Sequence, residues 1–154
     1  MSSSYQNPST SIDNTVEHNA DRDARLAQLT EWLASTGLVD AASGRPASSD
    51  ASFRRYFRYD VVPGLQDKLG ATLVAMDAPP ERENVPAFIK VQGLLLDAGV
   101  TVPAIAARDV ERGFLLLSDL GSTTYLQRLD SDNAVFMYSD AVDALLKFQM
   151  ASQP

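Results

Sequence analysis

Hydrophobic residues recur along the chain first at helical and then at strand spacing, after an opening segment that has almost none. Residues 1–20 are rich in Ser, Thr and Asn, and we expect a disordered tail because they have no apolar face to offset the entropy lost on ordering. The apolar residues that follow predict a helix capped by Asn19 and ended by Gly37. Its buried face is expected to comprise Leu26, Leu29, Trp32 and Leu33.

Five short segments have the composition of β-strands. The clearest is 53–62, where alternation places Phe53, Arg55, Phe57 and Tyr59 on one face and Arg54, Tyr56 and Arg58 on the other. The other four are predicted at 39–46, 71–76, 102–107 and 114–117. Because short turns join the first three strands, an antiparallel meander is expected.

Three more helices are predicted. The first begins after Asn84 as its N-cap, has Pro86 in its first turn and ends at Gly99. Its apolar stripe is expected to be Phe88, Val91, Leu94 and Leu95. Gly93 inside this helix costs about 1 kcal/mol relative to Ala, which close packing against the sheet would explain. Residues 118–121 then break the pattern, and 122–129 and 133–150 have helical spacing.

The order of these elements is helix, three strands, helix, two strands and further helices, which is an α+β arrangement. A five-stranded antiparallel sheet with one crossing helix resembles the small lobe of the protein-kinase-like fold. The helices after residues 118–121 would then be the first helices of its large lobe.

Composition restricts the function classes. The 154 residues are 45% apolar and carry a net charge of −7, with a pI near 4.5, which argues against binding to nucleic acid or to an anionic membrane. With no Cys there is no disulfide framework or thiolate metal site, and the only histidine, His18, lies in the polar tail. A Ser-His-Asp triad is therefore excluded. Apolar runs are too short to span a bilayer and no secretory signal is visible, so a cytoplasmic protein is expected.

A local cluster of positive charge interrupts this acidic composition. Residues 45–58 contain four arginines and one acid, and the small residues of 48–52 lie in their midst. Basic groups beside a flexible small-residue turn are typical of a site for an anion. The alternative is a solvated surface on which the arginines only form ion pairs with acids.

Four segments carry a resemblance to a known family. They are ASFRRYFR at 51–58, MDAPP at 76–80, AGVTVP at 98–103 and FLLLSDLG at 114–121. In this order they resemble the aminoglycoside phosphotransferase-like small-molecule kinases, and most of all the bacterial kinases that phosphorylate the anomeric hydroxyl of N-acetylmuramate and N-acetylglucosamine in cell-wall sugar recycling. The resemblance covers about 21–150 and implies transfer of the γ-phosphoryl group of ATP to an amino sugar, with a nucleotide and a sugar as the partners.

The resemblance assigns the phosphate end of a nucleotide site. The small-residue loop Ser49, Asp50, Ala51 and Ser52 would replace a glycine-rich loop over the phosphates. Arg54 or Arg55 would reach a phosphate. Arg55 is favoured, because it shares a strand face with Phe53 and Phe57, which should point toward the interior of the lobe.

The resemblance also assigns the adenine end. Ser118, Asp119 and Leu120 would form the hinge, where the Ser118 carbonyl and the Leu120 amide read the base. Val74 and Leu117 would enclose the ring, a role compatible with ordinary core packing.

Two departures from the family pattern limit these expectations. Asp77 stands where a third-strand lysine is expected and Phe88 stands near the usual helix glutamate, so that the lysine–glutamate pair is absent; Lys90 is a candidate partner for Asp77. No histidine follows His18, so the catalytic loop and the magnesium ligands are missing. We therefore expect no catalytic or metal-binding residues in this chain, and Mg²⁺ only in a longer enzyme.

The expected organisation is a disordered tail at 1–20, a kinase-like N-lobe at 21–118, and a hinge with the first helices of a truncated C-lobe at 119–154. On this interpretation the chain is the ATP-binding N-terminal part of an amino-sugar kinase and is inactive alone. The alternative is a stand-alone, non-catalytic nucleotide-binding or interaction module.

Overall fold

A five-stranded antiparallel sheet forms the centre of the protein. The computed structural model describes residues 24–49 and 52–151. The strands are β1 Arg45–Ser49, β2 Arg55–Asp60, β3 Thr72–Asp77, β4 Ile105–Asp109 and β5 Phe114–Ser118. They lie in the order β1-β2-β3-β5-β4 and every neighbouring pair is antiparallel. The predicted five-stranded α+β fold is confirmed.

The first strand lies later in the chain than predicted. Of the segment 39–46, Val39 forms only an isolated bridge with Val61, and regular pairing begins at Arg45. The reason is a turn built on Asp40, whose carboxylate accepts a hydrogen bond from the Ala42 amide and whose carbonyl accepts one from the Ser43 amide. Such local bonds compete with strand pairing.

Helix α1, which covers the described residues 24–36, packs on one face of the sheet, called here the α1 face. Leu29, Trp32 and Leu33 are buried as predicted, and Leu26 packs against the same cluster. The Trp32 ring lies 5.7 Å from the Phe114 ring, centroid to centroid. The helix ends before Gly37, whose φ of 65° is a left-handed conformation that favours glycine. Asn19 and the predicted tail at 1–20 lie outside the described residues.

Helix α3, Val85–Asp97, packs on the opposite face, called here the α3 face. The Asn84 side chain caps it by accepting a hydrogen bond from the Ala87 amide, as predicted. Its contacts with the sheet are made by Val85, Phe88 and Ile89.

The predicted stripe of this helix is partly wrong. Val91 and Leu94 are 52% and 57% exposed, because they lie on the side of the helix away from the sheet. Close packing does not explain Gly93 either, since a Cβ added there would meet nothing within 4 Å.

Three further helices complete the described chain: α2 Gln66–Leu69, α4 Tyr125–Arg128 and α5 Ala134–Ala151. The predicted helix at 122–129 is shorter than expected, because a Thr124 capping box starts it at Tyr125. No described residue of α5 is buried. Its exposed large apolar residues are Val135, Phe136, Tyr138, Val142, Leu145, Leu146, Phe148 and Met150. None of the described helices has the length and apolar character needed to cross a membrane.

Candidate functional site

Three side chains form a row across the part of the α3 face that helix α3 does not cover. In the strand register Arg58 of β2 lies opposite Val74 of β3, and Val74 lies opposite Leu117 of β5. Leu117 is buried, whereas Val74 and Arg58 remain only partly buried because α3 packs farther along the face, over Met76 and Leu115. Val74 and Leu117, which the sequence nominated for one wall of a site, are thus brought together on a surface that a flat ligand can cover.

The segment after β5 lies at the end of this row. The Ser118 amide donates to the Ala104 carbonyl at 2.8 Å, and the Ser118 hydroxyl accepts from the Ala104 amide at 2.9 Å. Leu120 is 62% exposed, and within the described part of the chain its amide donates no hydrogen bond. This segment therefore has a backbone donor without a partner among the described residues.

Asp119 fixes this segment to the sheet. Its carboxylate accepts two hydrogen bonds from Arg58, one from the Thr72 hydroxyl at 2.6 Å and one from the Gly121 amide at 2.8 Å. The Arg58 guanidinium, together with Thr72 and Gly121, holds the pKa of Asp119 well below its usual range despite partial burial. The same contact raises the pKa of Arg58. Asp119 therefore anchors this segment to the sheet, and its part in a nucleotide site stays a prediction.

All four arginines of the basic cluster form ion pairs. The pairs are Arg45–Asp60, Arg54–Glu83, Arg55–Asp77 and Arg58–Asp119. The local positive charge seen in the sequence is therefore balanced by acids that are distant in the chain. Of the two interpretations, ion pairing describes this structure, and an anion would have to share an arginine with its carboxylate.

Arg55, the arginine favoured for a phosphate, lies on the face of the sheet opposite Val74 and Leu117. Arg55 lies on the α1 face, where its guanidinium and that of Arg25 both bind the Asp77 carboxylate. Asp77 is 0% exposed. Arg55 therefore faces away from Val74 and Leu117, because alternate residues of a strand point to opposite faces.

The same arrangement corrects two statements about Asp77. Asp77 does not take the place of a lysine on the ligand side of β3, because that side at this end of the strand is formed by Met76. Its ionic partners are Arg25 and Arg55, and not Lys90.

Arg54 lies on the α3 face and is tied to the start of α3. Its Nε donates to the Glu83 carboxylate at 2.8 Å, and its guanidinium lies over the Phe88 ring, 5.8 Å from the centroid. Burial acts to lower the pKa of Arg54, but hydrogen bonds with Glu83 and Tyr56 outweigh it and raise that pKa.

The small-residue loop is described only at its ends. The Ser52 hydroxyl accepts from the Arg54 amide at 3.2 Å, and the Ser49 backbone closes β1. Asp50 and Ala51 lie outside the described residues.

Residues 43–154 match the phosphotransferase enzyme family. The chain belongs to this family. Over 139 residues it is 49% identical to a protein of Pseudomonas putida named N-acetylmuramate/N-acetylglucosamine kinase, and over 137 residues it is 50% identical to a protein of that name from Pseudomonas aeruginosa. A third protein of that name, from Neisseria meningitidis, is 35% identical over 133 residues.

These alignments cover 82–84% of the chain but only 37–39% of the three relatives. The chain thus spans less than two fifths of their length, and corresponds to their N-terminal part. The described sheet and its crossing helix are the kinase-like small lobe of the phosphotransferase family.

The sequence did not single out three residues that lie at this candidate site: Arg58, Thr72 and Glu83. The period of two already puts Arg58 on one face with Arg54 and Tyr56. Its position beside Val74 depends on the pairing of β2 with β3, and its bond with Asp119 spans 61 residues. Neither contact has a local sequence signal.

A magnesium site was expected only in a longer enzyme. Among residues 24–49 and 52–151 no group of three or more Asp, Glu or His side chains converges to hold a metal ion. Asp119 and Glu83, the acids nearest the site, are engaged by arginines. The described residues alone do not fit a magnesium site.

Proposed function

We propose that this chain is the ATP-binding N-terminal part of an amino-sugar kinase. The observation that carries the proposal is the identity of about half over more than four fifths of the chain to two proteins named N-acetylmuramate/N-acetylglucosamine kinase. The geometry of the α3 face supports it, because an apolar wall and an unused backbone donor lie side by side.

In the proposed complex the adenine ring lies on the α3 face. Val74 and Leu117 contact the ring, while the Ser118 carbonyl and the Leu120 amide bind its edge. The loop at 49–52 covers the phosphates, and Arg54 supplies positive charge near them. Asp119 contributes by holding the hinge in place through Arg58, and not by touching the base.

The reaction proposed for the complete enzyme is phosphoryl transfer. The anomeric hydroxyl of N-acetylmuramate or N-acetylglucosamine attacks the γ-phosphorus of ATP, the bond to the β-phosphate oxygen breaks, and the hydroxyl proton passes to a general base. That base, the magnesium ligands and the sugar contacts are assigned to regions that the relatives possess beyond the matched part. We therefore propose that the chain alone is inactive, and that the enzyme is cytoplasmic and binds a nucleotide and a sugar, without nucleic acid or membrane partners.

The second candidate is a stand-alone nucleotide-binding or interaction module. The observation that favours it is the sequence of β3, Thr72–Asp77, which has no lysine to bind phosphates. The two candidates differ in what happens when the region that the relatives have beyond the matched part is added to the chain.

A chimera provides the test. The chain is joined to the part of the Pseudomonas putida relative that lies beyond the matched region, and both the chain and the chimera are incubated with magnesium–ATP and either sugar. We expect sugar phosphate from the chimera only, and ATP binding by both in calorimetry. A matched control is the chimera with Val74→Trp, which should fill the adenine position and abolish turnover. A folded chimera that binds ATP without turnover would favour the module, and absence of ATP binding in both would contradict each candidate.

A further inference from the structure

Glu83 is the residue on which the further inference rests. It immediately precedes the N-cap of α3, and its side chain is only 9% exposed. One carboxylate oxygen accepts a hydrogen bond from the Phe53 amide at 3.2 Å, and the other accepts one from Arg54 Nε at 2.8 Å. A single carboxylate thus fixes both the backbone and the side chain at the point where the small-residue loop enters β2.

The contact leaves part of the Arg54 guanidinium available. Arginine has five N–H donors, and Glu83 engages the Nε donor. The Arg54 side chain is 31% exposed, and the Phe88 ring lies beneath it. Glu83 and a further hydrogen bond with Tyr56 therefore hold the guanidinium in one orientation, and together they do not use all five of its donors.

Other charged groups on the same face are less available. Arg58 has Nε and Nη2 both bound to Asp119. The end of β3 on the α3 face is Met76, which is uncharged, and Arg55 lies on the α1 face. Among the described residues of β2 and β3 and the turn that leads into β2, Arg54 is the cation best placed for a ligand on the α3 face.

We propose that Glu83 is a positioning residue, which orients Arg54 and the Phe53 amide so that Arg54 binds the phosphates of the nucleotide. The Arg54–Glu83 pair then links the residues that lead into β2 to α3, and Arg54 contributes a cationic group where β3 has none. This inference rests on the proposed nucleotide site. The inference predicts the direction of the change in ATP affinity. Although Glu83 is an anion, removing its charge weakens phosphate binding because Arg54 loses its fixed orientation.

The test measures binding of ATP and of adenosine to the 154-residue chain by calorimetry, for the wild type and for Glu83→Gln, Arg54→Ala and the double variant. Arg54→Ala should weaken ATP binding about 10- to 150-fold, as expected for loss of a charge-assisted hydrogen bond, and Glu83→Gln about 2- to 12-fold. Adenosine, which has no phosphate, should bind all variants equally. In the Arg54→Ala background, Glu83→Gln should have no further effect.

Asp60→Asn is the matched control. It removes the carboxylate partner of Arg45 with the same change in net charge, in an exposed ion pair. It should leave the affinity for ATP unchanged. Thermal unfolding of each variant shows whether it is folded.

Four results would overturn the inference while leaving the adenine site in place. The first is an ATP affinity of Glu83→Gln equal to that of Asp60→Asn, and the second is a tighter affinity, which would make Glu83 a competitor of phosphate. The third is an equal loss of affinity for ATP and adenosine, which would make the role of Glu83 purely structural, and the fourth is a full effect of Glu83→Gln in the absence of Arg54. If the wild-type chain binds neither ATP nor adenosine, the proposed function fails and this inference fails with it.

Discussion

The guanidinium of Arg58 and the carboxylate of Asp119 form a two-point ion pair between residues that are 61 positions apart. The pair joins the middle of β2 to the segment that follows β5. Thr72 adds a hydroxyl from β3 to the same carboxylate. Three strands of the sheet therefore determine where the hinge lies, and the bonds that do so use the side chain of Asp119 while leaving the backbone of Leu120 exposed.

Replacing this carboxylate should reveal its contribution to stability. Asp119→Asn should lower the free energy of unfolding at pH 7 by about 1.5–3 kcal/mol, the range for hydrogen bonds to a charged group. Chemical denaturation measures the change. Asp143→Asn, in the exposed face of α5, is the control for the loss of one negative charge and should change stability little.

The same pair should make stability depend on pH in a defined direction. Because the folded state depresses the pKa of Asp119, its stabilisation is present above the unfolded aspartate pKa of about 3.9 and is lost as pH falls toward the lower folded value. The difference in stability between wild type and Asp119→Asn should therefore be constant from pH 7 to about pH 5 and shrink in more acidic solution. A difference that grows on acidification would contradict this linkage.

Asp77 should be much more sensitive to substitution than an exposed acid in a similar pair. Asp77→Asn removes the charge that Arg25 and Arg55 share, and should destabilise the chain by about 3–5 kcal/mol, as for a broken buried pair. Asp60→Asn breaks the exposed pair with Arg45, which is expected to contribute at most about 1 kcal/mol. Equal midpoints of denaturation for the two variants would show that burial of Asp77 is energetically unimportant.

Two glycine substitutions should have opposite effects. Gly93→Ala in α3 should stabilise the chain by about 0.5–1 kcal/mol, because the position is helical and the added methyl group meets nothing within 4 Å. Gly113→Ala should destabilise it, because φ is 78° and the methyl group would lie 2.0 Å from the Ala78 carbonyl oxygen. Differential scanning calorimetry of both variants would test the pair, and a rise in melting temperature for Gly113→Ala would contradict the second expectation.

The exposed apolar residues of α5 should cause association of the isolated chain. Large exposed apolar surfaces promote self-association, and α5 buries none of its described residues. Sedimentation velocity over a concentration series should show association that Leu145→Ser and Leu146→Ser together reduce. Val91→Ser with Leu94→Ser is the matched control, since it removes exposed apolar surface from α3 instead. An equal reduction by the control pair would exclude α5 as the specific surface.

The fold was more predictable from sequence than the site. Alternation within β2 and the N-cap of α3 are local patterns, and both predictions are confirmed. The errors lie at β1, in the stripe of α3 and at Phe53, which precedes β2 and is 58% exposed although it was expected to point to the interior. The predicted adenine residues Val74 and Leu117 meet because each faces the same side of neighbouring strands. Arg55 shares a face with Phe57 as predicted, but that face is the one covered by α1, which alternation in the sequence does not reveal; its role at a phosphate stays a prediction.

The long-range ion pairs were not predictable. Arg54, Arg55 and Arg58 look like one basic cluster in sequence, yet their partners lie 22 to 61 residues away. Alternation distributes them over both faces, and tertiary contacts then decide which acid each arginine meets.

The strand β5 has a consequence for how the hinge is placed. Four consecutive residues, Phe114 to Leu117, are buried, so both faces of the strand are apolar. In a strand with one polar face, a slip by one residue would bury polar groups, but in β5 a slip carries no such penalty. Its alignment must therefore be specified at its two ends, by the close contact of Gly113 with Ala78 before the strand and by the bonds of Asp119 after it. Substitutions within β5 should change how tightly the lobe holds together, whereas substitutions at these two ends should change which backbone groups the hinge displays.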